Sequence, residues 1–384
     1  MYLKKIIGII IFMLLIGTAS LPAIGATNGN EPLIRYESND LYVTDEKHFT
    51  SVNSQASVLW DNGMYLRGGG AYLSQWDSMD SFGAIGAGDF QFEETTEITG
   101  VNWIGGYIPG MDGDFDWNAS FYIDRGDGMA PGDKIYEQVF PNAMVHEIFI
   151  EVMWGDTWMF SYSVDLEDSI TFTGGEKYWI SIQGVGNSPP DSYWACNFAV
   201  TLHDLVWKNP KGGCRDWTSS TELFYGNRLD FCFQLTGNGE PVVPDLECTG
   251  DIILEDIPPG AIVNSTFNVI NNGDVGSMLG WEVLSYPDWG TNWSAKWIYE
   301  DWLIMTDGGF VGTTNDEEII LEVQVPNEKN QEYSGEIVIV NIEDPIDTCN
   351  INVICKTPRS KNMEQFQSLI ERFIERFPIL KLLI

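Results

Sequence analysis

The feature that most constrains this chain is the absence of any long amphipathic helix between residues 58 and 357. Short stretches rich in β-branched and aromatic residues recur there instead, for example at 147–154, 178–182 and 229–235, and clusters of Gly, Asp, Asn and Pro separate them. A parallel α/β fold needs crossover helices between its strands, and the sequence offers none. The pattern therefore predicts an all-β protein built from antiparallel sandwiches.

Two blocks of this strand pattern are predicted, with a short linker between them. Residues 238–244 combine Gly and Pro as a semi-rigid linker does, so the first domain covers 58–237 and the second covers 245–357. The second block offers six or seven strand-like stretches, which matches the size of an immunoglobulin-like sandwich. With 44% hydrophobic and 20% charged residues, the chain can bury a sizeable core, which excludes wholesale disorder.

Both ends of the chain differ from its body. Residues 1–26 place two lysines before an uncharged run from Ile6 to Leu21 and then small residues, which predicts a cleaved secretory signal peptide. Residues 27–57 are polar and are interpreted as a linker. Residues 358–384 have apolar side chains at helical spacing, which predicts an amphipathic helix that docks on the body, on a partner or at a membrane interface. The sequence thus predicts an exported protein that is extracellular or held at the cell surface.

Acidic residues dominate the charge of the chain. It carries 56 Asp and Glu against 20 Lys and Arg, a net charge of −36, and residues 27–357 alone hold 53 acidic and 13 basic residues. A surface this acidic repels phosphate backbones, so nucleic acid is not expected as a partner.

Six cysteines in an exported chain favour disulfides over metal binding. No cysteine pair has the two-residue spacing of a zinc knuckle, and the three histidines are scattered. Strand alternation puts Cys349 and Cys355 on one face of the last strand of the second block, and Cys248 lies in its first strand. Because the first and last strands of such sandwiches can approach each other, we predict a bridge from Cys248 to either Cys349 or Cys355.

A calcium site is one interpretation of an acidic segment in the first block. Five carboxylates fall between positions 112 and 127, and oxygen ligands that alternate along a loop can converge on Ca²⁺. The segment is not an EF-hand, because Trp117 and Ile123 occupy the positions that require Gly and Glu. The alternative is a solvated turn in an acidic protein. The candidate ligands are Asp112, Asp114, Asp116, Asp124 and Asp127.

Tryptophan is the most informative residue type for ligand binding, because indole faces stack on sugar rings as well as filling cores. Trp117 and Trp217 lie in loop-like stretches beside polar residues, so they are the candidates for an exposed ligand-binding platform. Trp179 lies in an alternating strand and is expected in the core. For each of them, packing in the interior is the alternative role.

Motifs for catalysis are scarce in this sequence. It contains no Gly-x-Ser-x-Gly elbow and no His-Glu-x-x-His motif, so we expect no enzymatic activity. The presence of a carboxylate pair for glycoside hydrolysis is left open, because such a pair is defined by the distance between its carboxyl groups in space, which the sequence does not give.

Three Asn-x-Ser/Thr sequons are candidate glycosylation sites. In an exported protein each can carry a glycan, and chance occurrence is the alternative. The three acceptors are Asn118, Asn264 and Asn292.

Several motifs of the second block are spaced as in a known family. They lie at 271–273, 277–281, 287–289, 326–328 and 333–337. Over nearly its whole length the block resembles the Ig-like, BACON-type modules of secreted microbial proteins. The resemblance implies a seven-stranded sandwich that contacts carbohydrate or mucin, and it brings no catalytic residues.

Motifs of the first block lie at 59–63, 89–90, 103–107, 121–124 and 131–132. They resemble those of jelly-roll modules in exported prokaryotic proteins, which implies a jelly-roll sandwich for the first domain. The whole arrangement, including the C-terminal tail, is similar to archaeal surface proteins.

These observations together predict an acidic, exported, two-domain β protein. We expect it to bind a glycan or another envelope protein through the first domain, by aromatic stacking and polar loop contacts. A structural surface-layer component without a ligand is one alternative, and a secreted hydrolase is the other.

Overall fold

The fold is all-β, as the strand pattern predicts. The computed structural model describes residues 56–63, 70–77, 82–107, 115–153, 157–187, 190–197, 202–223, 228–299, 302–313 and 316–358, together with residue 372. The signal peptide predicted at 1–26, nearly all of the linker at 27–57 and the helix predicted at 358–384 lie outside these residues, apart from residues 358 and 372. Within the described ranges no helix combines the length and the apolar character needed to cross a bilayer.

The first fifteen strands of the described residues form one pair of sheets. A 3-10 turn at Asn142–Met144 and the short helix α1 (Ser220–Leu223) interrupt them. The strands are β1 (Ser57–Asp61), β2 (Gly70–Leu73), β3 (Gln75–Asp77), β4 (Phe82–Phe90), β5 (Thr96–Tyr107), β6 (Asp116–Asp124), β7 (Pro131–Phe140), β8 (His146–Met153), β9 (Thr157–Phe172), β10 (Tyr178–Val185), β11 (Ser192–Asn197), β12 (Val206–Asn209), β13 (Cys214–Ser219), β14 (Asp230–Phe231) and β15 (Phe233–Gly237).

These strands divide into an eight-stranded and a seven-stranded sheet. The larger sheet follows the order β1-β15-β5-β11-β14, with β9 paired to β5, β8 paired to β9 and β2 paired to β11. The smaller sheet follows the order β13-β12-β4-β3-β10-β6-β7. A hydrophobic core lies between the two sheets. Alternate residues of β10, such as Ile180 and Ile182, face inward and pack with Trp103 and Phe233 of the larger sheet. We call this sheet pair the first sandwich.

The remaining ten strands form a second pair of sheets, which we call the second sandwich. One sheet follows the order β16-β18-β23-β20-β21 and the other follows β17-β25-β24-β19-β22. The core between them contains Phe267, Trp281, Trp297 and Ile337. The strands are β16 (Leu246–Thr249), β17 (Ile252–Leu254), β18 (Ile262–Asn271), β19 (Met278–Ser285), β20 (Thr291–Tyr299), β21 (Trp302–Thr306), β22 (Gly308–Gly312), β23 (Asp316–Gln324), β24 (Glu332–Asn341) and β25 (Thr348–Lys356).

The predicted disulfide links the two sheets of the second sandwich. Cys248 of β16 is bonded to Cys349 of β25, with 5.8 Å between their Cα atoms. Of the two alternatives, this is the Cys349 pairing, and Cys355 remains a buried thiol. Cys196, Cys214 and Cys232 are thiols as well. Each block has three cysteines, and the disulfide uses two of those in the second block, so one thiol remains there and three remain in the first block.

The two sandwiches touch through β1. The Asp61 backbone N–H donates to the Gly276 carbonyl at 2.7 Å. The Trp60 ring lies so close to Gly276 that a Cβ there would approach its Cε3 to 2.3 Å, and Gly276 has φ +86°. Only glycine accommodates both this contact and this backbone angle.

Candidate functional site

The prediction that Trp117 forms an exposed platform is wrong. Its side chain is only 2% exposed and contacts Trp103 and Tyr162, with ring centroids 5.4 and 4.8 Å away. The reason is strand alternation, because Trp117, Ala119 and Phe121 share the inward face of β6. Trp117 therefore stabilises the first sandwich from within.

Trp217, the other predicted platform residue, lines a groove on the outer face of the seven-stranded sheet. The groove has a volume of about 500 Å³. Strands β13, β12, β4, β3, β10 and β6 all contribute to it, so it crosses most of the sheet. Its principal side chains are Trp76, Tyr122, Gln183, Lys208, Lys211 and Trp217.

Trp76 forms the exposed wall of the groove. Its side chain is 45% exposed, although Gln75 and Asp77 on either side of it are buried. Gly83 lies directly opposite on β4, and a Cβ there would come within 2.8 Å of the Trp76 ring. The indole therefore lies against bare backbone and remains open to solvent on its other side. Trp76 is not among the residues predicted from the sequence. The glycine-rich β4 is the signal that could have found it, because glycine in a strand marks close approach of another group.

The floor of the groove is a small aromatic cluster on the same outer face. Tyr122 is buried and meets the Trp217 ring edge-on, with 6.5 Å between centroids. Trp179 is fully buried, as predicted, but in this outer cluster with Ala87, Tyr122 and Val206. Its Nε1–H donates to Asp124 Oδ1 at 2.9 Å, which fixes the ring under the groove.

Lysines complete the groove. Lys208 on β12 places its Nζ 6.0 Å from the Trp217 ring centroid, and Lys211 follows in the turn to β13. Gln183 on β10 donates from Nε2 to the Ala84 carbonyl at 2.7 Å, which holds the amide beside the groove. The site thus combines aromatic surfaces with two ammonium groups and one amide.

The predicted calcium ligands are only partly described. Asp112 and Asp114 lie outside the described residues. Asp116 Oδ1 accepts the Asn142 backbone N–H at 3.0 Å, and Asp127 forms an ion pair with Arg125 at 2.7 Å. The described residues contain no group of three or more His, Cys, Asp or Glu that could hold a metal ion. Calcium binding stays a prediction.

Asp124, another of the predicted ligands, is held in place by three hydrogen bonds. Its Oδ2 accepts the backbone N–H groups of Gly126 and Gly128 at 2.6 and 2.9 Å, while its Oδ1 accepts from Trp179. Burial acts to raise the pKa of Asp124, but these three hydrogen bonds outweigh it and lower the pKa below its usual value. The carboxylate therefore anchors the turn after β6 and the floor of the groove.

The three sequons lie in different surroundings. Asn264 and Asn292 are exposed on the second sandwich. Asn118 is half-buried, and its Nδ2 donates to Glu137 at 2.8 Å. Glycosylation at each of them stays a prediction.

Comparisons with known proteins do not assign the chain to a family. No protein-family model and no curated protein matches it. Among solved structures, PapD-like domain 7 of human CEP192 aligns over 30% of this chain and 87% of its own, with 10% identity and a TM-score of 0.21. The VesB protease of Vibrio cholerae aligns over 68% of this chain and 100% of its own, with 9% identity and a TM-score of 0.20. The resemblance to BACON-type and jelly-roll modules stays a prediction.

Proposed function

We propose that this chain is an exported binding protein that holds a glycan in the groove between Trp76 and Trp217. The observation that carries the proposal is the Trp76 indole, which lies against Gly83 and remains open to solvent beside the groove. A saccharide ring presents C–H groups on its faces, and an indole face complements them. Binding by stacking and hydrogen bonding involves no chemical turnover.

The size and lining of the groove support a small ligand. Its volume of about 500 Å³ lies in the range of small-molecule sites, which combine apolar walls with a few polar groups. Tyr122 and Trp217 provide apolar surface, whereas Gln183 and Lys208 provide hydrogen-bond donors.

The Cys248–Cys349 disulfide fits an oxidising compartment, in agreement with the proposed signal peptide. We propose that the first sandwich is a jelly-roll and that the second is an Ig-like spacer. Residues 358–384 would retain the protein at the cell surface through an amphipathic helix.

A glycan array compares the full exported chain with two tryptophan variants. Trp76→Ala removes the exposed wall, and we expect it to abolish saturable binding to the saccharides that the unmodified chain recognises. Trp158→Ala is the matched control, because Trp158 is 43% exposed but lies on β9 of the other sheet. Equal loss in both variants, or no saccharide hit for the unmodified chain, would contradict the proposal. Self-assembly without any hit would favour the surface-layer alternative.

A further inference from the structure

The charge of the groove is opposite to the charge of the protein. The chain has 56 acidic and 20 basic residues, yet among the described residues that line the groove two are lysines and none is Asp or Glu. The basic residues are also concentrated in sequence, because Lys208, Lys211 and Arg215 follow one another closely around the turn from β12 to β13. The described residues that line the groove therefore carry a net positive charge, in contrast to the chain as a whole.

Lys208 differs from other cations of the protein in its surroundings. Lys134, Lys177 and Lys296 each have a carboxylate oxygen within 2.9 Å of Nζ. No carboxylate of the described residues lies within ion-pair distance of Lys208, whose Nζ instead stands over the Trp217 ring. In a chain where acids outnumber bases almost threefold, a lysine in a groove without a carboxylate partner is available to an external anion.

The strand order places this ammonium group beside the aromatic walls. Trp217 lies on β13, Lys208 on β12 and Trp76 on β3, with β4 between the last two. Three strand spacings separate β13 from β3, roughly 14 Å. A sugar ring that stacks on either indole would therefore carry its substituents close to Lys208.

We propose that the ligand of this groove is an acidic saccharide whose anionic group pairs with Lys208 while the indoles contact the sugar rings. This inference rests on the proposed function. The single ammonium group of Lys208 matches one carboxylate or sulfate. The strongly acidic remainder of the surface repels a long polyanion, which argues against single-stranded nucleic acid even though that ligand also uses aromatic and basic groups.

The test uses calorimetry with the full exported chain and matched saccharides. An oligosaccharide with one terminal uronic acid is compared with the same compound as its methyl ester, which removes the charge and keeps the rings. We expect the acid to bind about tenfold more tightly than the ester, a preference that added salt weakens. Polygalacturonate and single-stranded oligothymidylate, which represent polyanions, should bind more weakly than the acidic oligosaccharide.

Lysine variants separate this inference from the proposed function. Lys208→Gln should remove most of the preference for the acid, because it lowers affinity for the acid more than it lowers affinity for the ester. Lys329→Gln is the control, because it removes an exposed charge on the second sandwich. Equal affinity for acid and ester would overturn the acidic-ligand inference while glycan binding stands. Absence of binding to either compound would overturn both, and tighter binding of oligothymidylate would replace the saccharide with nucleic acid.

Discussion

At the scale of single residues, Lys177 forms an ion pair with a buried carboxylate of β4, next to the aromatic cluster under the groove. Its Nζ lies 2.6 Å from Oδ2 of Asp89, a carboxylate with no exposed surface, and 5.7 Å from the Trp179 ring. The other Asp89 oxygen accepts the His203 backbone N–H at 3.2 Å. Burial raises the pKa of Asp89, and Lys177 acts in the opposite direction. Lys177 thus compensates a charge that the sheet would otherwise bury alone.

Replacement of Lys177 by methionine should be strongly destabilising. We expect Lys177→Met to lower the free energy of unfolding by about 3–5 kcal/mol, because it leaves the Asp89 carboxylate buried without a cation. The double variant Lys177→Met with Asp89→Asn should recover part of this loss. Urea unfolding measures both. Lys134→Met is the control, since its exposed pair with Glu137 should contribute less than about 1 kcal/mol. A similar small loss for Lys177→Met would contradict the argument.

At the scale of strands, the alternation of side chains between the two faces of a strand could be predicted from the sequence. Which of the two faces packs against the opposite sheet could not. The all-β class follows from period-two patterns inside single strands, and the Cys248 bridge follows from the expected approach of the first and last strands, which leaves Cys349 and Cys355 both open as its partner. The orientation of Trp117 depends on which face of β6 meets the larger sheet, and a loop-like local sequence hides this. Trp76 was missed because its outward position requires Gln75 and Asp77 to be buried, which only tertiary contacts determine.

The β3–β4 pair provides a test of the groove that leaves the tryptophan itself intact. Gly83→Ala places a Cβ only 2.8 Å from the nearest atom of the Trp76 ring. This is too close for a van der Waals contact, so the indole must move away from β4. We expect saccharide affinity to fall about tenfold while the urea midpoint changes little, because the displaced ring is exposed. Calorimetry measures the first quantity. In a Trp76→Ala background the same alanine should have no further effect on binding, and an additional loss there would show that Gly83 acts by another route.

At the scale of the whole molecule, the two sandwiches are joined by more than the chain between them. The Val242 backbone N–H donates to the Val58 carbonyl at 3.0 Å, which ties the predicted linker to β1. Trp60 and Asp61 of the same strand contact Gly276 in the second sandwich. The Gly and Pro content of 238–244 predicts a linker, but a contact between β1 and a turn in the other sandwich has no local signature.

The Asp61 carboxyl makes this junction sensitive to pH. It is 9% exposed and accepts hydrogen bonds from Gln234 Nε2 at 2.9 Å and the Gly63 N–H at 2.7 Å. Burial, with a smaller contribution from the charge of Glu343, raises its pKa from 3.8 to about 7 despite both hydrogen bonds. The folded chain therefore keeps this proton up to about pH 7, whereas the unfolded chain releases it near pH 4.

The sign of the effect on stability follows from that difference. Between about pH 4 and pH 7 the folded state binds more protons at Asp61 than the unfolded state, so this group lowers the free energy of unfolding as the pH rises. Its full effect is on the order of a few kcal/mol, reached above about pH 7. We expect Asp61→Asn to remove this contribution, so that its stability relative to the unmodified chain rises across the interval. Urea unfolding at several pH values measures it, with the exposed Asp288→Asn as the control. Parallel pH profiles for Asp61→Asn and the unmodified chain would show that Asp61 ionises in the folded state as it does in the unfolded state.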